Sequence, residues 1–159
     1  MKQKNFTAWL KFITIIVGLI GTVVFLIVVP NMGQSIALKN PEYSYAYYPW
    51  LIFIWTMAIP CYMVLGFFWD ICNEIKMNHS FSEKNIKSLI WISRLAVFDT
   101  IYCFVGNTIL LLIGISHPGV FLGFLFVVFI GICIAIISAA LSHLAKKASM
   151  IEEENELTI

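Results

Sequence analysis

Three side chains in the run RLAVFDTIYCFVGN, Arg94 to Asn107, could do chemistry in a stretch otherwise apolar enough for lipid: Arg94, Asp99 and Asn107. An ionisable group at such a depth admits a proton or ion path, a catalytic role, or a bond that holds helices together. Arg94 and Asp99 lie five positions apart. On a helix that separates them by about 140° around the axis, so they do not form one salt bridge. Asp99 sits about 7 Å deeper than Arg94. An isolated carboxylate there costs several kcal/mol, so it should face the interior of the helix packing, protonated or hydrogen-bonded. Tyr102, Cys103 and Gly106 share its face, with Tyr102 the expected donor. Arg94 is placed near the membrane edge, where its stem can snorkel and its fork can reach a lipid phosphate or Asp70. Asn107 reads as interhelical glue. A transporter or channel usually lines its path with several acids, and no other span carries one at depth, so structural bonding is favoured over proton sensing for Asp99.

Other chemistry finds little support. His79, His117 and His143 fall on different segments, and no nucleophile–base pair or metal-ligand spacing can be drawn at one depth. The four cysteines, Cys61, Cys72, Cys103 and Cys133, are far apart and form no C-x-x-C. The chain is therefore expected to have no catalytic residue, no metal and no cofactor, and not to be an enzyme. A net charge of +1, with no basic patch among stacking aromatics, argues against direct nucleic-acid binding.

The elements that must carry these residues follow from composition. Hydrophobic residues make up 60% of the 159 positions and charged ones 12%, with the charges gathered between long neutral runs. Those runs are roughly Phe12 to Val29, Trp50 to Trp69, Leu95 to Ile113 and Val120 to Leu141. Each would cover on the order of 27 to 33 Å as a helix, close to the thickness of a bilayer core. They are apolar all round, so helices are expected rather than barrel strands. The first has basic residues before it but no small-x-small cleavage site after it, and reads as a retained signal anchor. Lys2, Lys4, Lys11, Lys76, Lys84, Lys87, Arg94, Lys146 and Lys147 all fall on one side, and only Lys39 on the other. The expectation is an all-α integral membrane protein of four transmembrane helices in an antiparallel bundle, with both termini cytoplasmic. Residues 1–159 form one multi-pass domain of the cell membrane, ending in a short acidic cytoplasmic tail over 150–159.

Along the chain, an outer loop is expected from Pro30 to Pro49, with Tyr43, Tyr45, Tyr47, Tyr48 and Trp50 as an interfacial belt. Pro60 deletes one backbone bond and marks a kink or hinge, with the Thr56 hydroxyl close enough to compensate. The inner loop from Asp70 to Lys87 restarts a helix at Ser82, a good N-cap, followed by Glu83 in the first turn; Phe81 and Ile86 are placed as a hydrophobic staple. Lys84 and Lys87 complete the basic face of that loop. The connection GISHPG, Gly114 to Gly119, is short enough to make spans three and four a hairpin. Gly131, Ala135 and Ala139, with Ser138 and Ser142 beside them, should form a close seam against a neighbouring helix or a second copy in a homo-oligomer. In the tail, Glu152, Glu153, Glu154 and Glu156 are solvated acids for which a structureless end is expected, while the apolar finish at Leu157 and Ile159 speaks for a docking site for a partner.

The stretches YYPWLIFIWTMAIP, SFSEKNIKSL, Pro118-Gly119 and ENELTI together resemble a family of small bacterial four-span membrane proteins, domain of unknown function 2975. The loop GISHPG is uncharged here, whereas family members often carry acids in it. The resemblance implies a bacterial plasma membrane, no established enzymatic activity and, as partner, a small helix-turn-helix regulator of the Cro/repressor type. The function expected is regulatory: the inner loop and tail bind that soluble partner at the membrane. The rival expectation is a small transporter, or an immunity-type protein against a membrane-active peptide, using Asp99 or the tyrosine-rich outer loop.

Overall fold

A computed structural model describes residues 2–77 and 81–156, almost all of them helical. Four helices are long and apolar enough to cross a membrane. The first is α1 (Lys2–Val23), continued through a π-helical turn (Val24–Val28) into α2 (Val29–Lys39). A short 3₁₀ segment (Pro41–Ala46) leads to α3 (Tyr47–Lys76), followed by α4 (Glu83–Leu112) and α5 (Pro118–Glu156). Consecutive spans run antiparallel. Lys11 bonds Asn73, Ser82 bonds Glu74 and Ser93 bonds the Ala135 carbonyl, so both chain ends and the α3–α4 connection share one end of the molecule.

Two expectations change here. The outer loop placed from Pro30 to Pro49 is mostly helix, because the π turn absorbs the proline. Val29 donates to Val24 rather than to Phe25, and the next residue is Pro30, which has no N–H to offer Phe25. The orphaned Phe25 carbonyl accepts instead from the Trp55 indole at 2.9 Å. The tail, expected to be structureless, is helical as far as Glu156: α5 runs 39 residues, about 58 Å.

The packing is sequential. α1 lies on α3, α3 on α4 and α4 on α5, while α1 makes no backbone approach to α4 or α5. α3 and α5 meet only through side chains at the end opposite the termini. There Trp50 and Phe124 approach to 5.3 Å between ring centroids, and Phe53 and Phe124 to 6.2 Å. Phe53, Met57 and Cys103 form the buried centre of this three-helix core. Phe53 lies against Gly106, whose missing side chain makes the room; any Cβ there would collide with its ring. α4 ends at Gly114, which takes a left-handed φ of 76° and turns the chain back into α5.

α5 meets α4 along Gly131, Ala135, Ser138, Ser142 and Ala145. Ala139, expected on this seam, is exposed instead. The reason is the period: the buried positions advance alternately by four and three, and a strict step of four drifts off the face. The seam is filled by α4 of the same chain, so it does not serve a second copy.

Candidate functional site

The polar residues of α4 divide between its two neighbours. Toward α3, Asp99 accepts a hydrogen bond from the Cys61 thiol, Sγ to Oδ2 3.7 Å, and its other oxygen, Oδ1, is buried with no partner. The thiol is a weak donor, so this carboxyl is poorly satisfied for its depth. Tyr102, the expected donor, is engaged elsewhere: its hydroxyl lies 2.7 Å from that of Thr56. The Thr56 hydroxyl in turn donates to the Phe53 carbonyl at 2.8 Å, rather than relieving the bond lost at Pro60. Pro60 itself is buried within α3, which remains one helix through it.

Toward α5, Asn107 is 1% exposed and donates to the Phe121 carbonyl at 3.5 Å, while its Oδ1 has no partner. It joins the two helices as expected of glue. Thr100 rests against Gly131 and donates to the Ala96 carbonyl. Arg94 points away from both contacts. It is exposed, lies over the Trp91 ring at 5.6 Å, and makes no ion pair with Asp70 among the described residues.

The ion pair that joins α3 to α4 is Glu74–Lys84 at 3.2 Å, and Glu74 is the buried member. The Ser82 hydroxyl donates to Glu74 at 3.1 Å and accepts the Asn85 backbone N–H at 3.3 Å, the N-cap expected of it. Glu83 pairs with Lys87 at 3.0 Å on the surface. Phe81 is exposed. Beside this group, Lys11 of α1 donates to Asn73 and covers the Trp69 ring at 4.9 Å. The basic end of the molecule is thus knitted from α1, α3 and α4 around one buried acid, Glu74. Its signal was spacing: Glu74 falls eight residues before a helix N-cap serine, across a short turn.

α5 continues past the start of α4. Stepping ten residues back along α4 and ten forward along α5 from the Ser93–Ala135 bond puts Glu83 level with Ala145. The turns from Lys146 to Glu156 therefore overhang the start of α4 by about 16 Å. Glu152, Glu153 and Glu154 are exposed on this overhang, Glu156 is its last helical residue, and Leu157 and Ile159 lie outside the described residues. At the opposite end, the belt residues Tyr45 and Tyr48 are exposed, but Trp50 is turned inward and donates to the Ile115 carbonyl at 3.1 Å. A shallow notch of about 300 Å³ there is lined by Gln34, Ala37, Leu38, Ser44 and Tyr47. Among the described residues no three His, Cys, Asp or Glu side chains converge as metal ligands would.

The family described as "Protein of unknown function (DUF2975)" matches residues 31–159, which takes in α3, α4 and α5 with the polar residues just described apart from Lys11 of α1. The chain belongs to this family. As a DUF2975 protein it is similar to the uncharacterized membrane protein YoaS of Bacillus subtilis (strain 168), with 28% identity over 155 residues, covering 96% of this chain and 97% of that one. No solved structure matches. This DUF2975 chain is a membrane protein of four helical spans, in agreement with the description of its relative.

Proposed function

We propose that this protein is a non-enzymatic regulatory protein of the cell membrane, and that its basic end faces the cytoplasm and holds a soluble partner there. The lysine distribution supports that orientation, since Lys and Arg resist translocation. The observation that carries the reading is the overhang of α5, which presents Glu152, Glu153 and Glu154 on a helix well clear of the membrane segment. Acids held on a helix oppose the basic surface a DNA-binding protein keeps for phosphates. A small helix-turn-helix regulator, the partner implied by the family resemblance, suits that chemistry. Sequestration at the membrane would then end when the helices rearrange.

The test is co-purification of the regulator from detergent with the full chain and with a chain lacking residues 150–159. The expected result is loss of the regulator with the truncated chain. Equal recovery from both refutes the tail's part.

Asp99 supports a second reading, a small transporter or an immunity-type protein against a membrane-active peptide, because one of its oxygens is buried without a partner. Replacing Asp99 by Asn separates the two. Loss of pH-dependent flux or of peptide resistance, with regulator binding intact, favours this alternative.

A further inference from the structure

α5 lies at the edge of the molecule and spends only one face on α4. A second face, turned by about 100° from that seam, carries Ile134, Ile137, Leu141, Leu144, Ala148 and Ile151, spaced alternately by three and four residues, and the same alternation runs back to Val127. That is the seven-residue repeat of two helices wound on each other, which keeps one seam toward a partner over several turns. The branched residues within the bilayer could be explained by lipid contact. Those beyond it could not. Leu144 is 60% exposed and Ile151 51% exposed, although they lie level with or past the first residue of α4, where apolar surface meets water and is driven to associate.

The residues flanking the stripe identify what covers it. In this repeat Leu141 and Ala148 take the first position and Leu144 and Ile151 the fourth. Lys147 therefore takes the seventh position, and Glu152 the fifth of the following repeat. These are the two places that face each other across a parallel pair of identical helices, and here they are of opposite sign. Both side chains are exposed, and neither forms an ion pair among the described residues. Copies of one membrane protein share an orientation, so parallel is the arrangement open to them.

We propose that two copies of this chain pair in parallel along this second face of α5, in a coiled coil that begins within the bilayer and continues past it, with Lys147 of each copy opposite Glu152 of the other. The two-fold axis runs along the seam. The Gly131–Ala145 face stays on α4 within each copy, and the regulator is not required for pairing.

Disulfide trapping in native membranes tests this, using full-length chains that carry Cys133→Ala and one added cysteine. Leu144→Cys and Ile151→Cys, on the seam, should give covalent dimer about tenfold more readily than Lys146→Cys and Glu153→Cys, which lie on the opposite side of the repeat. Equal yields at all four positions, or none at the first two, overturn the proposal. In the Ile151→Cys chain, Lys147→Glu should lower the yield roughly fivefold, and adding Glu152→Lys should restore it, because the two sites exchange sign together. If the paired reversal fails to restore the yield, the parallel register is wrong.

Discussion

The two outer contacts of this protein are built on different principles. Where α1 meets α3, aromatic side chains reach across and bond the backbone: Trp55 donates to Phe25, and Tyr62 lies 2.7 Å from Thr22 and donates to the Gly18 carbonyl at 3.2 Å. Where α5 meets α4, the side chains are small and the backbones themselves come close, with Thr100 pressed on Gly131 and Ser93 bonded to Ala135. Lipid is as apolar as leucine, so burial alone gives helices no reason to associate within it. One contact answers with long polar arms, the other with close fit. The arms tolerate some change in helix spacing, whereas the fit does not.

The largest effect should come from spoiling the fit. Gly131→Leu places a branched side chain where a Cβ already collides with Thr100, and should destabilise the α4–α5 hairpin by about 3 kcal/mol, read as equilibrium unfolding in mixed micelles. If that substitution is silent, the close-packed seam is not what holds the hairpin. Removing an arm should cost less. Trp55→Phe keeps most of the ring but leaves the Phe25 carbonyl without its donor. A loss of about 1 kcal/mol is expected, with faster proteolysis confined to α1 and α2. Smallest is the coupling between Thr22→Val and Tyr62→Phe, expected at about 0.6 kcal/mol in a double-mutant cycle. A coupling near zero would remove the hydroxyl pair from the account of this contact. Asn107→Leu sharpens the comparison from the other side. It replaces a buried amide with one unpartnered oxygen by a side chain of similar volume, and should cost less than Asn107→Ala, which leaves a cavity.

The four spans, their antiparallel order and the Ser82 cap were legible because each follows from local rules: run length, charge placement and the chemistry of a helix start. Properties that depend on a second helix were not. Nothing in the sequence around Asp99 says that its partner is Cys61 rather than Tyr102, since that choice is set by the rotation of α3 against α4. The burial of Glu74 hangs on the way the α3–α4 connection folds back. The helix runs on past Pro30 because the Phe25 carbonyl finds a donor in Trp55, thirty residues on, which local rules do not show. Trp55, Tyr62 and Trp69 recur every seven residues, and that spacing alone could have announced the arms on α3. Ala139 was misplaced by a step of four where the seam steps by four and three.

Spatial order in this molecule is the order of synthesis, since each span lies against the one made before it. A nascent chain leaving the insertion machinery can therefore settle each new helix on a neighbour already in the bilayer, with no need to hold an early segment open for a late one. The contacts of Trp50 and Phe53 with Phe124 span more than one step, and they can close only after α5 has entered, so they serve as the last fastening of the finished protein.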